Sequence, residues 1–174
     1  MRIELEAVGH VASTRRKLSD DDWDQEVSSI TLNAEVFSPD ALLALDHFSH
    51  VEVIYYFDRV SDSKIERGAR RPRGNPDWPL VGIFAQRGKN RPNRIGATVA
   101  RIVGLEGLTL RVSGLDAVDG TPVLDLKPYM KEFGARGTVR QPEWATELMR
   151  DYWGNSPGKE SSTDSLRDAS AVVP

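Results

Sequence analysis

The chain has no cysteine among its 174 residues. Disulfides, thiolate zinc sites and cysteine nucleophiles are therefore excluded. The absence fits a reducing compartment. No apolar run approaches the ~20 residues that a membrane-spanning helix needs. The opening Met1-Arg2-Ile3-Glu4-Leu5-Glu6 alternates and carries acids, unlike a signal peptide. A soluble, cytoplasmic protein is expected. Histidine is scarce, with only His10, His47 and His50. His47 and His50 lie close together near a helix end, where histidine also suits the helix dipole, and no third ligand is near. No metal site is expected. Also missing are a dinucleotide glycine fingerprint, a Walker A loop, an H-E-x-x-H motif and a serine-hydrolase elbow.

What is present is unevenly charged. The net charge is −3, which argues against a uniformly basic nucleic-acid binder. Yet from Arg59 to Arg94 ten cations face three acids. The acids gather instead at Asp20-Asp21-Asp22, Asp24 and Glu26. One positive face on an acidic protein is one reading, and an ordinary solvated surface is the other. Between Arg87 and Arg94 lies a loop with four cations, two asparagines and no acid. Such a loop is suited to an anion or an electron-rich ligand.

Hydrophobic spacing predicts a mainly β protein: a small curved-sheet or β-barrel domain with two short helices. Arg2 to Ser13 reads as a half-buried strand. Thr14 to Gln25 reads as a polar loop anchored by Trp23. Ser29 to Leu32 is a short strand. Ser38-Pro39-Asp40 predicts a helix start, with the helix running to about Asp46. Val51 to Asp58 is apolar on both faces, so both should be covered, by a closed barrel or by a partner subunit. Ser61 to Pro79 reads as a long basic loop. Strands follow at Leu80–Ala85, Ile95–Val103, Leu108–Val112 and Thr121–Leu126, with Asp119-Gly120 as a hairpin signal. Pro142 opens a second helix in which Trp144, Leu148 and Tyr152 recur every four residues. Residues 1–153 are read as one domain, and 154–174 as a polar, mobile tail.

Four ordered blocks resemble the TsaA-like (TrmO) family. They are Val8-Gly9-His10-Val11-Ala12-Ser13, Leu45-Asp46-His47-Phe48-Ser49-His50-Val51, Gly82-Ile83-Phe84-Ala85 through Arg91-Pro92-Asn93 to Ile95-Gly96, and Gly114 to Tyr129. The resemblance implies a small β-barrel that binds S-adenosylmethionine. It implies N6-methylation of threonylcarbamoyl-adenosine beside the anticodon of tRNA, by a homodimer with the cofactor near its interface. The chain departs from the family pattern at Asp58, Gln86, Gly88, Lys89 and Arg94, and no extra C-terminal domain is expected.

On this resemblance, the cofactor residues are Asp58, Arg59, Arg87, Thr98, Ser113, Gly114, Leu115 and Asp116. Arg87 suits the cofactor carboxylate, or else an ion pair with a barrel acid. Gly114 lets the backbone approach an adenine edge, or else marks a bulge. Asp119 is the candidate base, with Lys127 and Tyr129 orienting the acceptor; Asp119 is equally suited to starting a turn. Arg70, Arg73, Lys89, Arg91 and Asn93 are the candidate RNA contacts. Methyl transfer to another substrate, and a non-enzymatic cofactor- or RNA-binding module, stay open as alternatives.

Overall fold

A computed structural model describes residues 1–154. The predicted tail from Gly154 onward otherwise falls outside the described residues. Six strands close into a barrel in the order β1-β2-β7-β6-β3-β8: β1 Gly9–Ala12, β2 Val27–Leu32, β3 His50–Tyr56, β6 Ile95–Glu106, β7 Thr109–Ser113 and β8 Pro122–Pro128. All the barrel pairs are antiparallel, and β8 returns to β1 through Gly9 and His10. Two short strands, β4 Ala69–Arg70 and β5 Val81–Gly82, form a separate ribbon.

The barrel interior follows from alternation. Val51, Val53 and Tyr55 point inward from β3 and are buried, while Glu52, Ile54 and Tyr56 face outward and are half-buried. Ile30 from β2, Leu110 and Val112 from β7, and Val123 from β8 meet them inside. Closure thus covers one face of β3, the first of the two alternatives that its sequence left open. Tyr55 pairs with Gly96 across the β3–β6 ladder. A Cβ at Gly96 would stand 2.3 Å from the Tyr55 ring, so only glycine leaves room for it.

Several expectations change. Pairing of the first strand begins only at Gly9; Ile3 and Leu5 are 69% and 63% exposed. Their alternation has no neighbouring strand to bury it. The predicted helix at Pro39 is two 3-10 turns, Pro39–Leu42 and Leu45–His47, broken where Ala44 takes a φ of 65°. Leu42 is still buried. The strand at Leu80 shrinks to Val81–Gly82, because Ile83–Ala85 turns to bury Ile83 and leaves Phe84 exposed. Asp119-Gly120 makes a turn but not a hairpin, since β7 and β8 are not neighbours. The basic loop is organised by β4 and by turns at Asp62–Lys64 and Pro72–Gly74. The second helix is α1, Glu143–Leu148, with Pro142 as its cap. No described helix is long and apolar enough to cross a membrane.

Gly96→Ala is expected to cost about 1–3 kcal/mol in urea unfolding through overpacking against Tyr55. Gly104→Ala meets no atom within 4 Å and should stay within about 0.5 kcal/mol of the parent. Equal midpoints for the two variants would contradict this packing.

Candidate functional site

One end of the barrel gathers polar side chains around Tyr55. Its hydroxyl is paired with Thr98 Oγ1 at 3.1 Å, and both residues are buried. Thr98 comes from β6, opposite Val53, so the pair sits on the barrel's inner face. Arg87 reaches the same strand, where its Nη2 donates to the Ala97 carbonyl at 2.6 Å. That bond uses one of five guanidinium N–H groups. Burial first, and then the nearby Asp116, push the Tyr55 hydroxyl pKa upward.

Asp116 follows β7 on a backbone turned by Gly114, whose φ is +74°. A Cβ at Gly114 would lie 2.9 Å from the Asp24 carboxylate, so glycine is required here for two reasons. Leu115 beside it is fully buried in the core, and Ser113 accepts a bond from Arg101 Nε at 3.1 Å. Asp116 accepts a hydrogen bond on Oδ2 from the Tyr152 hydroxyl. Burial raises its pKa from the ordinary value to about 6. The Tyr152 bond opposes that rise, Asp20 adds to it, and Lys89 and Arg15 oppose it.

Tyr152 is held there by backbone. The amides of Asp22, Trp23 and Asp24 donate to the carbonyls of Asp151, Tyr152 and Trp153 at 3.3, 3.2 and 3.0 Å. Trp23 is the buried anchor that the sequence suggested, with the Arg15 guanidinium 3.9 Å from its ring centroid. Its Nε1 is buried without a hydrogen-bond partner among the described residues. Trp78 Nε1 donates to Glu147 at 2.7 Å and ties α1 to the basic loop.

The remaining candidates are dispersed. Asp58 and Arg59 follow β3 and are exposed; Arg59 donates to the carbonyls of Arg16 and Asp119. Asp119 accepts the Ser13 amide at 3.1 Å on Oδ1, and Arg16 stands 3.7 Å from Oδ2. Lys127 lies further along β8, exposed and paired with Asp125, in register with Glu52. The Tyr129 amide donates to His50, at the start of β3. Asp119 precedes β8 and Tyr129 follows it, and about 17 Å of strand separates Pro122 from Lys127.

The expected RNA contacts are largely engaged internally. Arg73 pairs with Asp21 at 2.7 Å, and Lys89 with Asp20 at 3.6 Å. Arg91 donates to the Gln86 carbonyl at 3.2 Å, and Arg70 to the Gln86 side chain at 3.4 Å. Asn93 is exposed. The acidic stretch and the basic loop thus partly neutralise each other. No group of three His, Asp or Glu able to hold a metal occurs among the described residues.

The family model for the tRNA-methyltransferase O N-terminal domain matches residues 20–135. This chain belongs to that family. A human protein named "tRNA (adenine(37)-N6)-methyltransferase" is 33% identical over 129 residues, 74% of this chain but 28% of the human protein. The chain thus spans little more than a quarter of that relative. A Methanothermobacter thermautotrophicus protein named "Probable S-adenosyl-L-methionine-binding protein" is 34% identical over 142 residues, covering 79% of this chain and 97% of its own length. A crystal structure of TrmO from Pseudomonas aeruginosa superposes with a TM-score of 0.67 at 28% identity, covering 83% of this chain and 62% of that one.

Tyr55, Arg87, Thr98 and Asp116 all lie inside the segment matched to the TrmO N-terminal domain; Arg15 and Tyr152 lie outside it. Sequence reasoning took Tyr152 for part of an apolar helical stripe. Its hydroxyl was the one unused signal, because a tyrosine on a buried stripe needs a polar partner.

Burial makes the folded protein hold the Asp116 proton more tightly than the unfolded chain does. The stability contributed by that proton is full below about pH 4 and is lost as pH rises through about 6. Tyr152→Phe removes a donor that favours the ionised form. The Asp116 midpoint, followed by carboxyl NMR, should therefore rise in this variant. An unchanged midpoint would show that the two groups do not interact in solution.

Proposed function

We propose that this chain is an S-adenosylmethionine-dependent methyltransferase that modifies N6 of adenine beside the anticodon of tRNA, on the threonylcarbamoyl form of the base. The observation that carries this reading is the cluster of Tyr55, Thr98, Arg87, Asp116 and Tyr152 at one end of a TrmO-type barrel.

The residues present fit such a cofactor. Asp116 Oδ2 is taken by Tyr152, and Oδ1 has no hydrogen bond among the described residues. It offers an acceptor to a ribose hydroxyl or an ammonium group. The buried Trp23 Nε1 is a donor without a partner among the described residues. Arg87 carries the positive charge that a ligand carboxylate requires. Backbone at Gly114 and Leu115, close to Asp116, would read the adenine edge. When bound, S-adenosylmethionine supplies a methyl group on a cationic sulfonium.

The protein's task is then to position the acceptor nitrogen and receive its proton. Asp119 Oδ2 is the proposed proton acceptor; its ion pair with Arg16 is a loose 3.7 Å contact. Lys127 and Tyr129 lie too far along β8 to act beside it in the same chain. We take the site to be completed across a homodimer, in which a second copy brings the other barrel end near. The outward face of β6 supports this, for Ile95, Val99 and Val103 are 36%, 41% and 45% exposed. The same separation favours a second reading, a cofactor-binding module without methyl transfer.

Incubation with methyl-labelled cofactor and total tRNA from a strain lacking such an enzyme distinguishes them. Label transfer to threonine tRNA alone is expected, with at least a tenfold loss in Arg87→Ala. Tight cofactor binding without transfer would favour the binding module, and no cofactor binding would refute both readings.

A further inference from the structure

Beyond the end of β8, the chain runs from Tyr129 to Arg140 along the outside of the molecule. A short 3-10 turn, Lys131–Phe133, occupies its start. Phe133 is 85% exposed, more than Phe84 at 77% or Tyr129 at 36%. The exposed ring leaves a face open for stacking, and beside Phe133 lie cations. Lys131 is almost fully exposed, and its one ion pair is a loose 3.9 Å contact with its neighbour Glu132. Arg136 and Arg140 are exposed and make no hydrogen bond or ion pair among the described residues. Glu132 is the single acid in this stretch, against three cations.

The contrast with the cation-rich segment at Arg59 to Arg94 is sharp. There, Arg73, Lys89 and Arg94 are paired with Asp21, Asp20 and Asp62. Charges already paired gain little from meeting phosphates. Unpaired cations interleaved with an exposed ring are the chemistry that tracks a nucleic-acid backbone and stacks a base. The limb also connects the two parts of the proposed site. It starts beside His50, and its continuation through α1 reaches Asp116 at Tyr152.

We propose that Tyr129–Arg140 is a docking surface for single-stranded RNA, with Phe133 as a stacking platform and Lys131, Arg136 and Arg140 as phosphate contacts. The proposal rests on the reading of this chain as an enzyme acting on tRNA, and it places flanking nucleotides of that substrate on this limb. Phosphate contacts here are sequence-independent and set the position of the strand.

Equilibrium binding of total tRNA and of a single-stranded RNA oligonucleotide, measured across a salt series, tests it. Phe133→Ala should weaken both by about tenfold with an unchanged salt slope. The double variant Arg136→Ala/Arg140→Ala should lower the slope by about 1.4, or ~0.7 per lost contact. Both changes are at exposed positions, and circular dichroism confirms folding. Parental affinity and slope in the variants would overturn the proposal while leaving the enzyme reading intact. So would a Phe133→Ala variant that changes only the sedimentation state, since the ring would then serve a second copy. Failure of the parent protein to bind either RNA would refute both the docking surface and the tRNA reading.

Discussion

The packing of Tyr55 on Gly96 inside a closed barrel is the constraint on which fold and site both depend. The ring needs the space that a missing Cβ provides, and the ladder between β3 and β6 sets the two residues opposite each other. Once the ring is fixed, its hydroxyl is fixed too, and it pairs with Thr98, two residues along β6 from Gly96. A core residue thereby becomes the floor of the polar cluster. Rigid strands position such groups more tightly than loops can.

The wall of that cluster is built differently. Asp116 is a half-buried carboxylate whose partial desolvation raises its pKa to about 6. Tyr152 offsets part of this cost by donating to one of its oxygens. Backbone bonds from residues 22–24 to 151–153 hold the tyrosine in place. A half-buried carboxylate with one satisfied oxygen is costly for folding alone and useful for holding a cationic or hydroxylated ligand. The acidic stretch at Asp20–Asp22 closes the same wall by pairing with Arg73 and Lys89.

Much of the barrel was legible from local pattern. Alternation marked the two faces of β3, and the family blocks took in Arg87 and the Gly114–Asp116 turn. What stayed hidden depends on partners distant in the chain. Arg73 and Asp21 lie 52 residues apart, so the sequence left a positive face and an ordinary solvated surface both open for a loop that is partly neutralised. Tyr152 and Asp116 are 36 residues apart, and α1 read only as an apolar stripe. Ile3 and Leu5 alternate as a strand would, yet pairing starts at Gly9, because alternation specifies a face and not a neighbour. Asp119 and Tyr129 fall within one family block, but an extended strand separates them.

The central claim is that the Tyr55 end of the barrel holds S-adenosylmethionine. Titration of the isotope-labelled protein with the cofactor, followed by amide and side-chain NMR shifts, tests it most directly. The account predicts that the largest shifts fall at Arg87, Thr98, Gly114, Asp116 and Trp23 Nε1. Shifts centred elsewhere, with Asp116 and Trp23 unmoved at saturation, would contradict it.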